Sequence, residues 1–84
     1  LEQWINLHQR QSANDYLRLG EELQKQGEWN RALQHTERAL LVYRRTLPNE
    51  NHPLVARCLN NLGAIYDAQG DVNRSFEFYE KAVQ

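Results

Sequence analysis

The 84-residue chain has no methionine, one cysteine, two prolines and no excess of either charge, with a formal net charge of -1. Each shortage excludes something. The lone Cys58 has no internal partner for a disulfide, so a reducing, cytoplasmic setting is the expectation. Balanced charge leaves no basic footprint for nucleic acid or an anionic membrane surface. No apolar run approaches the ~20 residues of a membrane span, and no secretory signal opens the chain. Starting at Leu1 without a methionine anywhere, the sequence reads as one small domain, or a piece excised from a longer protein.

The ingredients of catalysis are also missing. His8, His35 and His52 are far apart, and no pair has the spacing of a zinc site. They read as surface or interface histidines. Cys58 lacks the neighbours that would activate a thiol and reads as a half-buried structural residue. The glycines are too dispersed to form a phosphate loop. Arg44 and Arg45 close a helical stretch and complement its dipole. No catalytic residue, metal ligand or cofactor is expected, and the chain is not expected to be an enzyme.

What the chain does have is a repeat. At an offset of 43 residues, "ANDYLRLGEELQKQGEWNRALQHTERAL" (Ala13 to Leu40) lies over "ARCLNNLGAIYDAQGDVNRSFEFYEKAV" (Ala56 to Val83) without a gap, and nine of the 28 positions match. Among the matches are Gly20 with Gly63, Gly27 with Gly70, and Asn30-Arg31 with Asn73-Arg74. A repeat of this length implies stacked supersecondary units that share one core.

Each unit reads as two helices. Tyr16, Leu19, Gly20 and Leu23 share a helical face that ends at Gly27, and Trp29, Ala32, Leu33, Thr36, Leu40 and Tyr43 form the next stripe. In the second unit Leu59, Leu62, Gly63 and Tyr66 precede Gly70, and Val72, Ser75, Phe76, Tyr79 and Val83 follow. Links as short as Gly27-Glu28 and Gly70-Asp71 demand antiparallel neighbours. Ser12 with Asp15 suits a helix start, as does Pro53 at a first helical position. "RTLPNENHP" is polar, carries both prolines and joins the units as a loop. The expected fold class is all-α: two tandem antiparallel hairpins in a solenoid, with an extra N-terminal helix. The boundaries are 1–11 for an N-terminal extension or cap, 12–46 for the first unit, 47–53 for the loop and 54–84 for the second unit.

Glycine inside a helix costs about 1 kcal/mol relative to alanine, so Gly20 and Gly63 need a reason. Two helices joined by so tight a turn cross closely, and the glycines are expected to face Ala32 and Ser75. Tyr66 and Leu23 would fill the wider space nearer the turn. In Leu1 to Gln11, "LEQWINLHQRQ", the residues Leu1, Trp4, Ile5 and His8 make one stripe. That stripe suits the tail of a preceding helix or a cap over the first unit. An anchor for a neighbouring molecule is the alternative.

The pattern Leu59-x2-Leu62-Gly63-x2-Tyr66…Ser75-x3-Tyr79, echoed by Tyr16-x2-Leu19-Gly20-x2-Leu23…Ala32-x3-Thr36, resembles the tetratricopeptide repeat. Thr36 departs from the aromatic usual there. The 43-residue spacing, with "NENHP" before a helix and "LNNLG" inside it, resembles the extended repeats of kinesin light chains. The resemblance implies a non-catalytic protein-interaction module, a scaffold fragment that takes a peptide or partner helix on its concave face. Its groove would comprise Asn14, Leu17, Arg18, Glu21, Gln24 and Lys25 from the first unit, with Arg57, Asn60, Asn61, Ala64, Asp67 and Ala68 from the second. Asn61 stands where family members often carry an asparagine that brackets a ligand's backbone, a task suited to a carboxamide. Arg18 takes the matching place in the first unit, so no asparagine ladder forms. The carboxylate clamp of chaperone-tail-binding members is not expected, because Leu17 and Glu21 stand where a lysine and an asparagine would be needed. Glu21 would repel that ligand.

Two other roles remain open from sequence, self-association within a longer array and regulation of an adjoining enzyme. Two repeats are fewer than the three or so that usually stand alone. Trp4 and Ile5 at one end, and Phe76, Tyr79 and Val83 at the other, are the expected self-association residues, through a homodimer or end-to-end stacking.

Overall fold

The computed structural model describes residues 2–49 and 51–83. Four helices follow one another among these residues: α1 (Glu2–Lys25), α2 (Trp29–Thr46), α3 (Pro53–Ala68) and α4 (Val72–Ala82). α1 packs on α2, α3 packs on α4, and α2 against α3 joins the two hairpins. The architecture is all-α, as the repeat predicts.

Local chemistry makes the hairpins. Gly27 and Gly70 hold φ of 76° and 83°, a region that costs other residues about 1–2 kcal/mol. Each closes a Schellman motif: Glu28 N–H donates to Leu23 O at 2.9 Å and Gly27 N–H to Gln24 O at 3.0 Å. Asp71 repeats the first bond to Tyr66 O at 2.9 Å, and Gly70 repeats the second to Asp67 O at 3.0 Å. Asp71 then caps α4, its side chain accepting from Arg74 N–H at 3.1 Å. Glu28 has nearly the same backbone angles but makes no side-chain cap. Pro53 opens α3 behind His52, whose Nδ1 accepts from Leu54 N–H at 3.1 Å. Arg44 and Arg45 lie in the last turn of α2, as the dipole favours.

The N-terminal segment is helical, but it is not a helix of its own. α1 runs unbroken from Glu2 through Ser12 and Asp15, so Ser12 starts nothing. No glycine or proline interrupts "LHQRQSAND", and a serine or aspartate inside a helix costs only a few tenths of a kcal/mol. Arg10 donates to Thr46 O at 3.0 Å, tying the extension to the C-terminus of α2.

One buried cluster runs from α1 (Ala13, Leu17) through α2 (Ala39, Leu40, Tyr43) into α3 (Val55, Cys58, Leu59, Leu62). A smaller one joins Leu23, Ala32 and Ile65. Cys58 is fully buried rather than half-buried. The glycines do permit close crossing: Gly20 faces Ala32 as expected, and Thr36 still more closely, whereas Gly63 meets Tyr79 in place of Ser75. A Cβ on Gly20 would lie 2.6 Å from Thr36 Oγ1 and 3.4 Å from Ala32 O. On Gly63 it would lie 2.8 Å from the Tyr79 ring, with Ser75 not among its nearest neighbours. Thr36 and Tyr79 are repeat equivalents, so one position covers both glycines. The threonine fits because Gly20 sits over α2 backbone as well.

Two expected outcomes follow. Gly20→Ala destabilises by about 1–3 kcal/mol, because fully buried Thr36 cannot yield. Gly63→Ala costs less, since Tyr79 is 39% exposed and can tip outward. Urea denaturation of both variants compares them, and an equal cost would contradict the packing described. Glu28→Asp supplies the missing cap and stabilises by about 0.5–1 kcal/mol, read as a raised Tm.

Candidate functional site

The first helices of the two units, α1 and α3, carry the residues expected to line a groove. The repeat brings three of them together. Arg57 on α3 reaches across to Glu21 on α1, donating Nε–H to Oε2 at 2.7 Å and Nη2–H to Oε1 at 2.5 Å. Asn61, one turn further along α3, donates Nδ2–H to the same Oε2 at 2.9 Å. This is a two-pronged guanidinium–carboxylate pair with an amide alongside, the directional form of an ion pair. The hydrogen bonds from Arg57, foremost, and from Asn61 hold the Glu21 carboxyl below its usual range, against the opposing effect of burial. The same partnership raises Arg57.

Beside this cluster, Asn14, Leu17, Arg18, Tyr43, Leu54 and Arg57 line an open cleft of about 410 Å³. Its floor is apolar and fixed. Leu17, expected as a groove contact, is 2% exposed and belongs to the core; the approach of α3 takes it out of solvent. The Tyr43 hydroxyl donates to Asn14 Oδ1, which fixes the Asn14 carboxamide and leaves its NH2 as the free donor. Arg18 pairs with Asp15 at 2.5 Å on the exposed surface. Gln24 and Ala64 are half-buried, and Lys25, Asn60, Asp67 and Ala68 are exposed. Two cleft residues, Tyr43 and Leu54, escape a sequence reading that counts only exposed groove positions. The signal for Tyr43 was its hydroxyl, which needs a partner once the ring is buried.

The residues expected in self-association are solvent-facing: Trp4 64%, Ile5 42%, Phe76 63%, Tyr79 39% and Val83 84% exposed. Trp4 meets His8 edge to face at 4.4 Å. His35 is stacked on Tyr16 at 5.9 Å, and His52 is spent on the α3 cap.

Cys58 and Tyr43 share one physical cause for their unusual acidity. Burial pushes the Cys58 thiol from 9.0 to about 12 and the Tyr43 hydroxyl from 10.0 to about 12. A thiol so protonated and enclosed is a poor nucleophile.

The shifts of Glu21, Cys58 and Tyr43 predict a pH dependence. For Glu21 the folded value lies below the ordinary 4.5. Its contribution is therefore complete above that pH and is lost as pH falls through the folded value. Glu21→Gln costs about 0.5–1 kcal/mol at pH 7, and the difference closes in acid. For Cys58 and Tyr43 the folded values lie above the unfolded ones. Their contribution is complete below about pH 9 and is lost as pH rises toward 12. Denaturation curves at acid, neutral and alkaline pH check both signs. A Glu21→Gln penalty that persists in acid would contradict the ion pair.

Compared with known proteins, the sequence matches a family model described as tetratricopeptide repeat over residues 10–84. Neither the curated proteins nor the solved structures gave a match. The match begins within α1 and takes in the rest of that helix, α2, α3 and α4, with both Schellman turns and the Glu21–Arg57–Asn61 cluster. With that span covered, the chain belongs to the tetratricopeptide-repeat family.

Proposed function

We propose that this chain is a non-catalytic binding module that holds an extended peptide or a partner's helix along the face formed by α1 and α3. The observation that carries the reading is the Glu21–Arg57–Asn61 cluster. Asn61 gives an N–H to Glu21 at 2.9 Å, so its amide plane is set before any ligand arrives. The carbonyl oxygen is left to accept a backbone N–H. A prepositioned acceptor costs a ligand less ordering entropy than a free side chain does. Asn14, tethered through Tyr43, offers the complementary donor at the cleft. An acceptor and a donor on opposite helices suit a peptide backbone, which presents both.

Arg18 and Arg57 frame the cleft, but each already faces a carboxylate, Asp15 and Glu21. The site is therefore close to neutral. Side-chain selectivity would come from the apolar floor of Leu17 and Leu54 more than from charge. A cytoplasmic scaffold of longer helical-repeat type, with spacing like that of kinesin light chains, is the setting that fits this reading.

Selection of short random peptides against the wild-type chain tests the site. The selected peptides are expected to lose about tenfold or more in affinity to Arg57→Ala, with a smaller loss for Asn61→Ala. Far-UV circular dichroism of both variants should remain that of a helical protein. Asn61→Ala lowers Tm slightly, since the residue is half-buried and bonded to Glu21. Peptides that bind both variants as they bind the wild type would remove the groove reading.

A further inference from the structure

A second groove lies between the second helices of the two hairpins. Among the described residues, α2 and α4 make no close backbone approach; each packs on α3 instead. The gap between them has an open volume of about 330 Å³. Leu40 and Leu62 form its floor, 7% and 1% exposed. Leu41 of α2 and Phe78 of α4 stand at its sides. No residue lines both this groove and the cleft at Tyr43, so the two surfaces are independent.

The sides of the groove are set before anything binds. The Phe78 ring lies flat on Tyr66, with centroids 5.5 Å apart and planes 6° from parallel. The Lys81 ammonium sits 5.4 Å from the centre of the Phe78 ring, a cation held over apolar surface. Leu41 is 58% exposed, so a large apolar side chain meets water at the edge of the hollow.

Charge narrows what can enter. Arg44 and Lys81 line the groove with a single carboxylate, Glu37. The other glutamates near Lys81, Glu77 and Glu80, do not line it. Ion pairs among the described residues engage Arg18, Arg57 and Arg74, but neither Arg44 nor Lys81. Both cations lie in the last turns of their helices, where the dipole favours them without supplying a side-chain partner. Glu37 is two turns from Arg44 along α2, about 10 Å, roughly the distance over which salt screens exposed charges. The cleft on α1 and α3 differs, because both of its arginines already face carboxylates.

We propose that the groove between α2 and α4 binds an acidic peptide segment of a partner protein. A leucine or phenylalanine side chain of the segment rests on the floor of Leu40 and Leu62. A neighbouring aspartate or glutamate meets Arg44 and Lys81. Burial of the apolar side chain supplies most of the affinity, and the carboxylate selects the segment.

Proton–nitrogen NMR shift mapping on the full chain tests it, with N-acetyl-Asp-Phe-Asp amide as the probe at millimolar concentration. Saturable shifts are expected at Leu41, Arg44, Phe78 and Lys81, and not at Asn14 or Arg57. N-acetyl-Lys-Phe-Lys amide and N-acetyl-Asp-Gly-Asp amide should each bind about fivefold more weakly or worse. Replacing both cations, Arg44→Gln with Lys81→Gln, should weaken the acidic probe about fivefold and abolish its advantage over the basic one. Leu41→Ser should weaken both phenylalanine probes. These side chains are exposed, so the variants should keep a helical circular dichroism spectrum. The proposal is overturned by no saturable shift at the groove, or by shifts confined to the cleft of α1 and α3. Equal binding of the acidic and basic probes, or an affinity unmoved in the double variant, would also overturn it.

Discussion

The packing of α3 across the outer face of α2 is the contact on which the rest of this molecule depends. Each hairpin is defined locally by its Schellman turn and its glycine crossing, but the core is shared between them. Ala13, Leu17, Leu40 and Tyr43 of the first hairpin share a single buried cluster with Val55, Cys58, Leu59 and Leu62 of the second. In a solenoid, stability is a sum of unit terms and neighbour terms. With two units there is one neighbour term, and this interface supplies it.

The same contact sets the geometry of the face proposed to bind. Bringing α3 alongside α2 also brings it near α1, so that Arg57 and Asn61 reach Glu21 across separations of 36 and 40 residues. It closes the floor of the cleft with Leu17, Tyr43 and Leu54. It also covers the outer face of α2, while Val72, Phe76 and Val83 at the matching places on α4 are exposed.

The parts of this arrangement that depend on neighbouring residues were readable in the sequence. The paired glycines, the 43-residue offset and the proline-bearing loop predict two hairpins, because turn chemistry is local. What failed, or stayed hidden, depended on how helices cross. Ser12 carries a cap residue's chemistry, yet nothing after Glu2 breaks the helix, so the capping signal had no end to cap. Gly63 was matched with Ser75 rather than Tyr79 because helical periodicity gives a face, not the turn at which two helices meet. Leu17 was placed in the groove by its position on α1. Its burial comes with the cluster it joins across α2 and α3, which no spacing encodes. The Glu21–Arg57–Asn61 cluster was invisible for the same reason: each residue was singled out, but their meeting is a product of tertiary packing.

Residue-resolved hydrogen exchange of the intact chain tests the central claim most directly. If the α2–α3 contact unites the hairpins, the slowest amides lie in α2 and α3 together and share one opening free energy, while α4 and the first turns of α1 exchange faster. An exchange pattern that splits between α2 and α3, with each hairpin opening as its own unit at a different free energy, would contradict it.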